Sequence, residues 1–247
     1  MTSGISRRGV LKGAGAVALG AAVSVPALAQ AAQAASAPEA AVAAPRGGLS
    51  ANGWRMVKSV DGGGPVPGTG VTVALRAGDV ETVLVHVVRR FHYEVAALGE
   101  GQVVGHLDPA RVRLSAPESN HASGTAVAIR PDWYPRGGRG GFFPLEMLVL
   151  RDILAECEGV VAWGGDHRGR PYEALFSIDV PPGDARLPRV AAKIRGWAAR
   201  PAARTGTAGS DTVGSGAAGT GPVDVLAPER RAAALRLERL QRSRSAG

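Results

Sequence analysis

Only the middle of this chain carries the side chains needed to build a core. Between about residues 50 and 198, large apolar residues recur at strand and helix spacings. On both flanks Ala, Gly, Ser, Thr and Pro take over. Residues 30–49 (QAAQAASAPEAAVAAPRGGL) have no periodic pattern and few large side chains, so they read as a disordered leader. Residues 201–227 (PAARTGTAGSDTVGSGAAGTGPVDVLA) have the composition of a flexible linker that cannot bury a core. What remains between the flanks is one domain, long enough for a real core.

The first 29 residues read as a targeting segment. Residues 6–12 (SRRGVLK) carry twin arginines, an apolar pair and a lysine, followed by an uncharged Ala/Gly/Val run. That run ends in Ala27-Leu28-Ala29, a small-x-small processing site, and Ala32-Gln33-Ala34 offers a second. The paired arginines with Leu11 and Lys12 resemble the bacterial twin-arginine export signal. The expected location is therefore extracytoplasmic, secreted or held at the cell wall.

The single cysteine, Cys157, excludes an intramolecular disulfide; it shares the apolar side of a helical pattern with Leu150 and Ile153 and reads as a buried structural thiol. The net charge of +8 is mostly an end effect. Arg7, Arg8 and Lys12 account for three charges, and residues 201–247 hold seven arginines against four acids, which leaves only +2 on residues 30–200. A nucleic-acid partner is not expected, because the basic residues do not lie on the folded domain. Residues 228–244 (PERRAAALRLERLQRSR) read as a basic helix with Pro228 in its first turn and Ala233, Leu237 and Leu240 on one face. It has three possible resting places: the domain, an anionic envelope polymer or lipid, or solvent.

Within the domain, residues 70–76 alternate as a strand, and residues 79–98 carry a helical stripe from Val80 to Leu98 with Asp79 as its cap. His86, His92 and Tyr93 are expected as surface or rim side chains of that helix, and the pair Arg89-Arg90 is expected on a solvated face, with a carboxylate partner as the alternative. Strands are expected at 124–130, 160–165 and 173–180, and helices at 144–158 and 184–197, the last capped by Asp184. GGGPVPGTG at 62–70 is expected to be a loop, since it does not lead from a strand into a helix. The order of elements lacks a regular βαβ rhythm and predicts α+β, with a small, largely antiparallel sheet and flanking helices.

Three stretches bear on chemistry. SNHASGTAVAI at 119–129 resembles the S-x-H-x-x-G-x-A-x-D motif of the M15 zinc peptidases, the D-alanyl-D-alanine carboxypeptidase group. WGGD at 163–166 and YEALFSID at 172–179 resemble that family's later motifs, the second being typically acid-x-x-His-Phe. The resemblance covers about residues 70–197 and implies the M15 (hedgehog-like) fold and action on cell-wall peptides. It implies a zinc held by the His and Asp of the first motif and the His of the last, with the acid as general base. Here His121 keeps the first ligand position. Ala128 stands at the acid ligand, Leu175 at the second His and Tyr172 at the general base. Ser119, Gly124, Ala126, Trp163, Gly164, Gly165 and Phe176 keep the scaffold.

The resemblance therefore implies a non-catalytic, exported relative, without cofactor, binding a peptidoglycan stem peptide or related peptide. Ser119, Trp133, Tyr134, Trp163, Asp166, His167 and Glu173 are candidates for the cleft. Alternatives are an active zinc peptidase with ligands shifted to Asp166, His167, Glu173 or Asp179, and a structural envelope protein acting through its basic helix.

Overall fold

The computed structural model describes residues 48–114, 116–199 and 224–244. Residues 1–29, read from sequence as a targeting segment, nearly all of the expected leader and most of the expected linker lie outside the described residues. The described part contains strands β1 (Gly62–Pro65), β2 (Thr72–Leu75), β3 (Val103–Val104), β4 (Ala126–Ile129), β5 (Val161–Trp163) and β6 (Leu175–Ile178). Its helices are α1 (Asp79–Glu94), α2 (Pro144–Glu156), α3 (Arg186–Ala198) and α4 (Pro228–Arg244). β1 and β2 form an antiparallel hairpin, and the other four strands form an antiparallel sheet in the order β3-β4-β6-β5. The class is α+β, as the sequence predicts. Among the described residues, no helix is long and apolar enough to cross a membrane.

The two central strands are buried along their whole length. Alternation puts Ala126 and Ala128 on one face of β4 and Val127 and Ile129 on the other. The second face forms the main core with α1, whose Val80, Val83, Leu84, Val87, Val88 and Phe91 are all buried. Phe91 meets Phe176 edge-on with ring centres 6.5 Å apart. Cys157 is fully buried, and burial pushes its thiol up to about 12, so it is a packing residue and not a nucleophile.

Five sequence expectations need correction. GGGPVPGTG is not all loop: residues 62–65 pair with β2, and a Cβ on Gly63 would lie 2.1 Å from the Val73 carbonyl oxygen, so glycine permits that approach. Gly78, at φ 88°, occupies the cap position of α1, and Asp79 is the first helical residue, paired with Arg195 at 2.9 Å. Helix α3 starts at Arg186, and Asp184 accepts the Arg186 N–H at 2.9 Å from one residue further out than expected. Arg90 is not solvated. It is 7 % exposed and reaches Asp152 at 2.9 Å and Glu156 at 2.8 Å on α2. Finally, α4 lies on α2, turned so that Ala234 and Gln241 are buried while Leu240 is 62 % exposed.

Candidate functional site

The first motif begins in a 3-10 turn, Pro117–His121. The Ser119 hydroxyl accepts the Ala51 N–H at 2.8 Å, and the Asn120 side-chain carbonyl accepts the Asn52 N–H at 3.1 Å. Both bonds pin the segment entering the domain, so Ser119 is structural. Gly124 turns the chain into β4 at φ +68°, and a Cβ there would sit 2.5 Å from Val60 Cγ1 and 2.8 Å from the Arg76 nitrogen. Conformation and space both demand glycine.

Register then decides the centre. Ala128 pairs directly with Leu175 across β4 and β6. Directly opposed residues of an antiparallel pair project to the same face with Cβ atoms about 5 Å apart. Both are at most 2 % exposed. The turn carrying His121 packs against both strands. His121 Nδ1 lies 2.6 Å from the Gly105 carbonyl oxygen, which only accepts, so Nδ1 carries the proton. Burial lowers the imidazole to about 4, aided by the positive field of Arg136, and His121 is neutral near pH 7.

The second motif folds down onto this pair. Gly164–Asp166 form a 3-10 turn, and a Cβ on Gly164 would meet the Tyr172 carbonyl oxygen at 2.4 Å and Leu175 Cβ at 3.0 Å. A Cβ on Gly165 would lie 2.3 Å from the Trp163 ring. Trp163 Nε1 donates to the Glu173 carbonyl oxygen at 2.7 Å, which ties the second motif to the third. The motif glycines thus serve close packing around Leu175.

The residues weighed as substitute ligands are engaged elsewhere. Asp166 accepts two bonds from Arg151, at 2.6 and 2.7 Å. Glu173 precedes β6 and does not follow its alternation. Its carboxylate accepts the Gly140 and Gly141 N–H groups at 2.8 and 2.9 Å and holds the glycine-rich loop. His167 borders a cavity of about 180 Å³ with Asp166, Asp179 and Arg244 near the end of α4. Asp179 pairs with Arg244 at 2.7 Å. Among the described residues, no group of three or more His, Cys, Asp or Glu could hold a metal ion. Ala128 and Leu175 offer no donor, so the residues present do not fit the zinc that the motif resemblance implies.

The aromatic side chains expected in the cleft are divided between core and surface. Tyr134 is stacked on Phe142 with centres 4.2 Å apart, Phe142 meets Trp163 at 6.0 Å, and all three are buried. Trp133 is 61 % exposed under the Arg130 guanidinium, 3.6 Å from its ring centre. Tyr172 is 9 % exposed, and burial pushes its hydroxyl above the ordinary range, so it is no base. Over its ring, at 5.0 Å, sits the half-exposed Arg136 guanidinium, whose Nε pairs with Glu118 at 2.8 Å. Sequence reasoning missed Arg136 and Glu118, because only the folded loops bring them together. A cleft of about 300 Å³ lies elsewhere, bordered by Trp54, Arg76, Asp79 and Leu187.

Comparison with protein-family models, curated proteins and solved structures finds no match to this chain.

Proposed function

We propose that the chain is an exported, non-catalytic cell-envelope protein on the scaffold of the M15 D,D-carboxypeptidases, binding a peptidoglycan stem peptide or related peptide without cleaving it. The reading rests on one observation above the others: the register pairs Ala128 with Leu175 beside the turn that carries His121. The motif resemblance sets its two later ligands at Ala128 and Leu175, which the register pairs although they are distant in sequence, and its first on the neighbouring turn. Two of the three are apolar, so no metal-bound water forms there, and Tyr172 supplies no general base.

A cation nevertheless stands close to this place. Arg136 is half-exposed and near enough to His121 to oppose its protonation. A guanidinium suits a carboxylate. A stem peptide ends in one, and Arg136 would hold it with Tyr172 beneath. Loss of zinc then converts a site that polarises a carbonyl into one that binds a terminal carboxylate.

The test is an NMR titration of the full chain with a synthetic stem pentapeptide ending in D-alanyl-D-alanine, and with its C-terminal amide. The acid should bind with a Kd on the order of millimolar, and the amide at least about fivefold more weakly. Arg136→Gln should remove the preference, and no D-alanine should be released with or without added zinc. Equal binding of acid and amide, or metal-dependent release of D-alanine, would contradict the proposal.

A further inference from the structure

We infer that α4 is an ionic strap over the open edge of the four-stranded sheet, releasable by salt while the domain beneath it stays folded. The inference is independent of what the ligand face binds.

The contacts of α4 are mostly charged. Arg230 reaches Asp152 at 2.8 Å and Glu156 at 2.7 Å on α2. Glu238 lies 3.5 Å from Arg151, Arg242 lies 3.6 Å from Asp166, and Arg244 pairs with Asp179 beside β6. Apolar burial is slight. Ala234 is buried and Leu237 only partly, while Leu235 is 50 % and Leu240 62 % exposed. A helix held by the hydrophobic effect would turn its leucines inward. The arginine side chains of α4 remain wet, with Arg230 at 24 %, Arg242 at 57 % and Arg244 at 48 % exposure. Salt therefore reaches them: the screening length shrinks from about 10 Å at 0.1 M to about 3 Å at 1 M. The pairs of Arg242 with Glu238 and of Arg244 with Asp179 are of the exposed kind that is individually weak, and Arg230, on the buried Asp152 and Glu156, is the firmest point of the strap.

What α4 covers follows from the strand pairing. β5 is an edge strand. The Asp179 N–H donates to the Val160 carbonyl oxygen at 2.7 Å, so the next pair, Val161 with Ile178, is of the kind whose backbone groups face away from each other. The Val161 carbonyl therefore faces the free edge. Gln241 of α4 donates to it at 2.7 Å. An uncovered edge of this sort is a template for pairing with another chain. The strap thus closes the edge, and its release frees β5 to pair with the β5 of a second copy.

Hydrogen exchange of the full chain, read by mass spectrometry at about 0.05 M and 1 M NaCl, tests the strap. Peptides from 228–244 should exchange at least about tenfold faster at high salt, with peptides from β4 and β6 unchanged as the internal reference. The full chain carrying Arg230→Gln, Glu238→Gln and Arg244→Gln should exchange fast in α4 at both salts, and it should sediment partly as a dimer. Slow α4 exchange at both salts in the variant would overturn the ionic strap. So would β4 and β6 peptides accelerating together with α4. A variant that stays monomeric with α4 released would overturn the guarding of the edge.

Discussion

Two regions of this molecule treat charge in opposite ways. On the sheet face around Ala128 and Leu175, the polar groups that the motif resemblance implies are replaced by carbon. Along the seam of α1, α2 and α4, Arg90, Glu94, Asp152, Glu156, His86 and Arg230 are gathered into one network, most of them well buried. The difference is counter-charge. In the seam every carboxylate meets a guanidinium or imidazole. Burial alone would raise the Glu156 carboxyl, but the His86 hydrogen bond and the charges of Arg90 and Arg230 hold it well below the usual carboxylate range. On the sheet face, the metal would have been the counter-charge. The alanine and leucine that face each other there need no counter-charge.

The comparison would break first at Ala128. Ala128→Asp places an unpaired carboxylate between buried strands and should cost about 5 kcal/mol in urea unfolding. Recovery of that stability by stoichiometric zinc would mean that the face is still a metal site. In the seam, Arg90→Met leaves Asp152 and Glu156 short of one partner and should cost about 4 kcal/mol. A cost near zero would show that the network sets specificity and not stability.

Acid separates the two regions in a third way. His121 has its folded value lowered to about 4 from 6.5, so the unfolded chain binds the extra proton between those values. Stability should fall as pH drops through 6.5 toward 4, by about 3 kcal/mol in all. The Glu156 carboxyl is depressed, so its contribution is present above the ordinary carboxylate range and is lost only as pH falls further. His121→Gln should remove the upper stage of the unfolding profile and leave the lower. The smallest effect is expected at the glycine loop. Glu173→Gln keeps one acceptor for Gly140 and Gly141 and should cost about 1 kcal/mol, with little change at the seam.

How much of this was legible from sequence follows the same division. The stripe on α1 could be read, because periodicity is a local signal; Gly124 and the glycines of WGGD were expected in strands, and only the fold shows that they make turns. Helix boundaries at Asp79 and Asp184 slipped by one or two residues, because a cap is chosen by the turn entering the helix. Arg90 was misread because a helical pattern does not show which neighbour will approach the polar side. Arg136 over Tyr172, and the docking of α4 through Arg230 and Gln241, depend on contacts between segments far apart in the chain, which no local pattern carries. Glu173 was misplaced because strand alternation was extended two residues too far. The Ala128–Leu175 meeting was legible only through motif resemblance, and the register supplies its geometry.

The most direct measurement is metal content. The full chain would be equilibrated with one equivalent of zinc, desalted and analysed for metal. With one neutral imidazole, an alanine and a leucine at the ligand positions that the resemblance implies, the chain should retain less than about 0.1 zinc, unchanged by His121→Ala. About one zinc per chain, lost on His121→Ala, would contradict the account and favour an active zinc site.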